Sequence, residues 1–282
     1  MSALSRPGTT SAVLASLRVS FGIPLLIVAS LLSVSGIAQA ASTENYQLIP
    51  AGSIDSVLSA GRGLSNLPVK INAFYLRTQP VTTAEFFAFT KTHPEWEKAS
   101  IPSIFADESY LSQIPDSGPD ASQAETPVTQ VSWFAAQAYC ESEGGRLPSW
   151  YEWEYVAAAD ETHADARKDP KWRAKILSWY SQPGSSSPAK VGGVANYYGI
   201  RDMHGLIWEW VDDFNALLVS ADSRNQGDPD QLQYCGAGAI SLQDRDNFAV
   251  LMRVALLSAM NGANTTRQLG FRCAKTLTQE KP

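Results

Sequence analysis

Two carboxylates, Asp202 and Glu209, flank a glycine at position 205 in a short segment that could bind a metal ion. Calcium takes about six to eight oxygen ligands, which combine carboxylates with backbone carbonyls from a tightly turned loop. Gly205 would let the backbone make that turn. The segment therefore predicts a calcium site. The alternative is that Glu209 makes a buried hydrogen bond and binds no metal.

A second polar segment, residues 241–247, could act on a substrate. It contains Ser241, Asp244 and Arg245, and it leads to Arg253. A carboxylate beside a guanidinium can orient a polar substrate or transfer a proton. These four residues are the candidate catalytic groups. The alternative is a solvated charged turn in which the aspartates and arginines pair with one another.

The chain has three cysteines, Cys140, Cys235 and Cys273, so one thiol is left over if the other two pair. No Cys-x-x-Cys occurs and the histidines are far apart in sequence, so zinc or non-haem iron on closely spaced ligands is not predicted. Motifs for haem, flavin or nicotinamide are not found. The Gly192-Gly193 pair is too short to cradle a phosphate.

Residues 1–40 have the pattern of a secretory signal peptide that is cleaved after Ala40. Arg6 and Arg18 form a positive start, residues 21–37 are apolar, and residues 38–40 are a small-residue cleavage site. The alternative, an uncleaved membrane anchor, is disfavoured by that site. Cleavage predicts a periplasmic protein with no stable membrane insertion and one domain over residues 41–282.

The charge balance excludes one class of partner. Removal of residues 1–40 would take away two arginines and no acidic residue, which changes the formal net charge from −6 to −8. A nucleic-acid partner is not predicted, because phosphate neutralisation needs a cluster of basic residues. Export would also place the cysteines in an oxidising compartment, where disulfides form.

The elements that must position these residues are short and are interrupted by Pro and Gly. Residues 46–50 and 69–76 alternate as strands do. Helix starts are predicted at three capping residues, Thr82, Ser132 and Ser149. A short helix is predicted over residues 168–179, and loops over residues 101–124 and 181–188.

Segments in this order resemble the formylglycine-generating (sulfatase-modifying factor) family. They are residues 48–52, 74–86, 127–140, 145–155, 198–210 and 270–273. The resemblance implies the α+β, C-type-lectin-like fold of that family, which is low in regular secondary structure. Large buried side chains can hold such a fold together. The expected ones are Trp133, Trp150, Trp153, Trp208 and Trp210.

The resemblance also implies roles for single residues. The family's calcium ligands match the side chains of Asp202 and Glu209 and the carbonyls of Gly205 and Ile207. Its disulfide matches Cys140 with Cys273. That pairing would leave Cys235 free.

Catalytic members of the family hold copper between two cysteines. Counted back from Cys273 without gaps, these positions fall on Asp244 and Ala249. A soft Cu(I) ion held between two sulfurs needs two thiolates. The resemblance therefore implies that this chain has no copper bis-thiolate site and does not generate formylglycine.

Exported members of the family that lack the cysteine pair suggest what such a chain does instead. The resemblance implies a tailoring protein in the oxidative maturation of a secreted siderophore of the pyoverdine type. Its substrate would be a small molecule or peptide, the siderophore precursor. Two alternatives stay open. One is an accessory factor for a periplasmic copper nitrite reductase, and the other is a non-catalytic ligand-binding module.

Overall fold

The computed structural model describes residues 45–56, 68–180, 188–217 and 248–277, apart from the side chains of residues 216, 217, 248, 249 and 251. Every described residue belongs to one compact unit, residues 41–282. Within these ranges, no helix is long and apolar enough to cross a membrane. Cleavage after Ala40 stays a prediction.

Short strands form three small sheets in the described part of the chain. The largest is antiparallel, with the order β1 (Tyr46–Ile49), β4 (Phe74–Arg77) and β7 (Ala274–Thr276). The second pairs β2 (Gly52–Ile54) with β3 (Val69–Ile71), also antiparallel. The third pairs β5 (Trp208–Glu209) with β6 (Leu269–Gly270) in parallel. Glu209 and Gly270 are register partners, so the end of the chain lies against the 208–210 segment.

Five α-helices surround these sheets within the described ranges. They are α1 (Thr83–Thr92), α2 (Trp133–Ser142), α3 (Trp150–Ala157), α4 (Pro170–Tyr180) and α5 (Phe248–Ser258). Capping boxes start α1 at Thr82 and α3 at Ser149, because each cap exchanges hydrogen bonds with the glutamate three residues later. Ser132 caps α2 by accepting a bond from the Ala135 N–H. Each such cap contributes about 1 kcal/mol.

Aromatic side chains fill much of the core between the helices and the sheets. Trp150 and Trp210 are fully buried, and Trp153 nearly so. The Phe271 ring meets that of Tyr139 on α2 with centroids 5.5 Å apart, almost edge to face. Trp133 packs against this core while remaining half-buried. Rings of this size bury enough area to stabilise a fold whose strands and helices are short.

A disulfide joins Cys140 on α2 to Cys273, just before β7, with the two Cα atoms 5.4 Å apart. Both residues are fully buried. The bridge spans a sequence separation of 133 residues, so it restricts the conformations of the unfolded chain and lowers its entropy. This is the pairing that the resemblance implied. Cys235 lies outside the described residues.

The α+β class, the strand at residues 46–49, the three capped helix starts and the helix near residue 170 are confirmed. The strand predicted over residues 69–76 is instead two strands, β3 and β4, which break at residues 72 and 73 and pair in different sheets. Residues 101–124 contain neither a strand nor an α-helix, as predicted. Helix α5 was not predicted. Apart from Arg253 and Ser258 its residues are all apolar, so its sequence has no periodic polar face to indicate a helix.

Replacing both bridged cysteines (Cys140→Ala with Cys273→Ala) should lower the free energy of unfolding by roughly 3–5 kcal/mol, because the open chain gains loop entropy. Urea unfolding of residues 41–282 measures this loss. Cys235→Ala is the control and should leave the midpoint unchanged. An unchanged midpoint in the double variant would show that the bridge contributes little to stability.

Candidate functional site

A buried ion pair lies at the centre of the molecule. The Glu209 carboxylate on β5 accepts hydrogen bonds from the Arg272 guanidinium at 2.8–3.0 Å, through both Nε and Nη2. The Trp153 indole N–H donates to the same carboxylate at 2.7 Å. Glu209 is 1% exposed and Arg272 is 0% exposed. These donors replace the water that the enclosed carboxylate has lost.

A second guanidinium, that of Arg253 on α5, lies beside this pair. Its central carbon is 3.6 Å from the centre of the Trp153 ring and 5.7 Å from that of Trp150. Its Nη2 donates to the backbone carbonyl of Glu209, and its Nε meets no acceptor among the residues that the structure describes. Burial lowers the pKa of Arg253 to about 10, so the side chain is still charged at neutral pH. Two guanidiniums therefore lie near one carboxylate.

His204 is enclosed by four aromatic rings, those of Trp153, Trp172, Trp179 and Tyr180. Its Nε2 lies 2.8 Å from the Ala157 carbonyl oxygen, so this nitrogen carries the proton and donates. Its Nδ1, 3.1 Å from the Tyr180 hydroxyl, then accepts. Desolvation lowers the pKa of His204 to about 4, despite the opposing hydrogen bond to Ala157. His204 is thus neutral at physiological pH.

A cavity of about 30 Å³ lies between α3 and α4, and His204, Tyr180 and Trp172 are among its lining residues. This volume is room for about one water molecule. Val250 of α5 also lines it. As described, the cavity is too small for an organic substrate.

Of the four predicted catalytic residues, the structure describes only Arg253. Ser241, Asp244 and Arg245 lie outside the described residues. Arg253 is 1% exposed, and the carboxylate nearest it among the described residues is that of Glu209. It is therefore not the solvated guanidinium that the alternative interpretation expected. The backbone of Ala249 lies in the first turn of α5, one turn before Arg253.

The predicted calcium ligands are all described, and their carboxylates already have protein partners. The Asp202 carboxylate accepts from the N–H groups of Gly192 at 2.7 Å and Gly193 at 3.0 Å. Every carboxylate oxygen of Asp202 and Glu209 thus meets an N–H donor. Each Asp202 oxygen accepts one donor and keeps a lone pair, whereas each Glu209 oxygen already accepts two, so a calcium ion would have to displace Trp153 or Arg272 from Glu209. Calcium binding stays a prediction, and no functional step is derived through it.

The structure itself explains why residue 205 is a glycine. Its φ is +86°, and a Cβ at this position would lie 2.9 Å from the Trp179 ring. Asp202 also has a positive φ, +59°, a conformation that Asp adopts more readily than most residues. The turn therefore needs both residue types, whether or not a metal is present.

Sequence reasoning missed three residues of this centre. His204 was considered only as a metal ligand, Trp153 only as packing, and Arg272 only as part of a family motif. The sequence does contain one indication of the buried pair. Arg272 lies between Phe271 and Cys273, and Phe and Cys are residue types that are usually found in the core. A charge in such a run predicts a buried partner of opposite charge.

The pKa of His204 predicts a pH-dependent stability. Its folded value, about 4, is below its ordinary value of 6.5. Between these values the unfolded chain binds a proton that the folded chain does not, so stability is lost as pH falls from about 6.5 to about 4. The His204→Phe variant should show a smaller slope of unfolding free energy against pH in this window. An unchanged slope would contradict the assignment.

Melting temperatures test the calcium prediction. If calcium binds as predicted, the melting temperature should be higher in millimolar calcium than in chelator, and two values that agree within about 2 °C would contradict the prediction. Elemental analysis of the purified protein is the companion measurement. A clearly higher melting temperature with calcium, together with stoichiometric metal, would show that the ion displaces an N–H donor from Glu209 and binds as the family resemblance implies.

Comparison with known proteins places the chain in a family. The family described as "Sulfatase-modifying factor enzyme 1-like domain" matches residues 34–277. Formylglycine-generating enzyme of Bos taurus is 26% identical over 249 residues, covering 73% of this chain and 66% of that enzyme. Hercynine oxygenase of Mycobacterium tuberculosis is 36% identical over 92 residues, covering 31% of this chain and 22% of that protein.

A solved structure, that of PvdO from Pseudomonas aeruginosa, is 17% identical and covers 82% of this chain and 94% of that chain, with a TM-score of 0.39. The chain spans less than two thirds of the length of these two curated relatives. Since the family match extends over most of the chain and agrees with the α+β fold, the chain belongs to the sulfatase-modifying factor, or formylglycine-generating-enzyme-like, family.

Proposed function

We propose that this chain is an exported tailoring protein that acts in the oxidative maturation of a siderophore of the pyoverdine type. Its substrate would be the small-molecule or peptide precursor, and its place of action the periplasm. It would not generate formylglycine. The proposal has two parts: that the family's copper chemistry is lost, and that the family's frame is kept to position other groups.

The cysteine inventory supports the first part. Of three cysteines in the chain, Cys140 and Cys273 are bonded to each other. A copper bis-thiolate needs two thiolates, and only Cys235 remains. At the two positions counted back from Cys273, the chain has Asp244 and Ala249.

One observation carries the second part: the described residues next to the backbone of Ala249 keep the family's frame. Helix α5 begins beside Ala249, and its Arg253 is buried against Trp153 and bonded to the Glu209 backbone. Glu209 is in turn fixed by Arg272. A buried cation held this firmly keeps a positive potential at the start of α5. That potential would attract the oxygen atoms of a polar substrate.

The burial of Arg253 determines which role this side chain can have in the proposed reaction. A side chain that is 1% exposed acts through the field and through α5 rather than by touching the substrate. Substrate contact is therefore assigned to Asp244, Arg245 and Ser241. Asp244 would accept a proton, and the other two would orient the substrate's polar groups. One relative is named hercynine oxygenase, and this name supports an oxidative reaction whose product is not formylglycine.

Deletion of the gene, followed by complementation, tests this function. Loss of the protein should abolish the fluorescent mature siderophore in the medium, and the wild-type gene should restore it. An Asp244→Asn gene should restore less than about a tenth of it, because an amide cannot accept the proton. Asp116→Asn, which changes an exposed acidic residue of the 101–124 loop, is the matched control and should complement fully.

Fluorescent siderophore that is unchanged in the deletion strain would overturn the proposal. A loss of nitrite reductase activity in that strain would favour the accessory-factor alternative instead. In vitro, conversion of a cysteine to an aldehyde in a sulfatase-motif peptide would contradict the claim that formylglycine is not produced. Siderophore fluorescence, nitrite reductase activity and conversion of the peptide cysteine test three different claims, so their outcomes can be told apart.

A further inference from the structure

A tyrosine and a histidine that the proposed function does not use form a hydrogen-bonded pair near α5. The Tyr180 hydroxyl, at the end of α4, lies 3.1 Å from the Nδ1 atom of His204. The Nε2 atom of His204 carries the proton of the neutral ring, because it lies 2.8 Å from the Ala157 carbonyl oxygen. The phenol is therefore the donor, and Nδ1 accepts with its lone pair. The two atoms are within the roughly 2.6–3.2 Å over which an acid can pass a proton to a base.

The surroundings of His204 also suit the ring that would have received this proton. The hydrogen bond from Nε2 to the Ala157 carbonyl forms with the neutral and the protonated ring alike, so His204 does not need to turn. Glu209 favours the protonated ring, whereas Arg253 and Arg272 oppose it. A phenol that has lost an electron is a far stronger acid than an imidazolium, so the proton still moves once the Tyr180 ring is oxidised.

Aromatic rings connect this pair to the protein surface. The Trp208 ring packs on Tyr180 with centroids 4.9 Å apart. On the other side of the pair, the rings of Trp172 and Trp179 lie 5.7 Å and 6.2 Å from that of His204. All three tryptophans are half-buried, so each has one part beside the pair and another part in solvent. An oxidant at the surface could therefore take an electron from Tyr180 through these rings without entering the protein.

Little water can reach the pair. The cavity that Tyr180 and His204 both line has a volume of about 30 Å³, which is room for about one water molecule. Ile176 of α4 and Val250 of α5 line the same cavity with apolar side chains. Exclusion of bulk water protects reactive intermediates from side reactions. A radical on Tyr180 would be protected in this way.

Two other buried tyrosines donate to acceptors that are less suited to take up a proton. The Tyr110 hydroxyl donates to the Trp96 backbone carbonyl at 3.0 Å, and a carbonyl oxygen is a very weak base. The Tyr46 hydroxyl donates to the Glu143 carboxylate at 2.6 Å. That carboxylate is ion-paired with the buried guanidinium of Arg77, so its protonation would weaken a buried ion pair. A neutral imidazole is a better proton acceptor than either.

We propose that Tyr180 and His204 form a redox-active pair. When a one-electron oxidant takes an electron from the Tyr180 phenol, the O–H bond breaks and the proton forms an N–H bond at Nδ1 of His204. The products are a neutral tyrosyl radical and an imidazolium. The oxidant is an organic radical of the phenoxyl class, which gains the electron and becomes a phenolate. An electron returned to Tyr180 reverses both changes. This redox activity goes beyond the proposed function and does not require a siderophore.

Flash oxidation of the purified protein tests the pair. Light-generated tris(bipyridine)ruthenium(III) is the one-electron oxidant, and electron paramagnetic resonance of freeze-quenched samples identifies the radical. We expect a tyrosyl spectrum that the Tyr180→Phe variant loses or replaces with a different one. In the His204→Phe variant the tyrosyl radical should form at least about tenfold more slowly, because the proton acceptor has been removed. Deuterated water should slow its formation in the wild type about twofold, because the proton moves with the electron.

Tyr110→Phe is the matched control, because it removes one hydroxyl from a buried tyrosine that donates to a carbonyl. Its radical yield and spectrum should equal those of the wild type, and circular dichroism should show all three variants folded. A spectrum that is unchanged in Tyr180→Phe would overturn the proposal. So would a rate of radical formation that neither deuterated water nor His204→Phe changes, which is what a purely structural hydrogen bond predicts.

These measurements need neither a siderophore nor a deletion strain. Their failure would leave the proposed function untouched, and a failure of that function would leave the redox pair to be judged by its own spectrum.

Discussion

The buried pair of Glu209 and Arg272 is the interaction on which the rest of this structure depends. Besides the carboxylate, the Arg272 guanidinium reaches the backbone carbonyls of Arg77 at 3.3 Å, Arg201 at 3.0 Å and Asp202 at 3.3 Å. One side chain thus ties the end of the chain to β4, to the 201–202 turn and to β5. Removing one partner of such a pair leaves a charge without compensation inside the protein, which typically costs about 3–5 kcal/mol.

Three further side chains near this pair, Arg253, His204 and Tyr180, determine how much charge is buried there. Arg253 adds a second cation, stabilised by the faces of two tryptophans rather than by a carboxylate of its own. His204 adds none, because desolvation keeps it neutral, and the field of Arg253 also lowers its pKa. Burial raises the pKa of Tyr180 to about 12, so its hydroxyl stays protonated and can donate to His204. Among the described residues, two guanidiniums, those of Arg253 and Arg272, therefore face one carboxylate, that of Glu209, in this centre.

Under the proposed function, this chain keeps the family frame and loses the family's copper chemistry. The disulfide, the ion pair and the capped helices all depend on residues far from positions 244 and 249 in sequence, and they form without two thiolates there. A frame of this kind can support other chemistry at the same place, or bind a ligand elsewhere on its surface.

The sequence by itself indicated the capped starts of α1, α2 and α3, and the order of its motifs indicated the family, whose resemblance implied the α+β class and the pairing of Cys140 with Cys273. These follow from local patterns and from motif order, which depend on few long-range contacts. Only the tertiary structure decided that Glu209 meets Arg272, that Arg253 is buried against Trp153, and that His204 is neutral. The physical reason is that charge pairing and desolvation depend on distances between residues far apart in the chain, such as the 63 positions between Glu209 and Arg272.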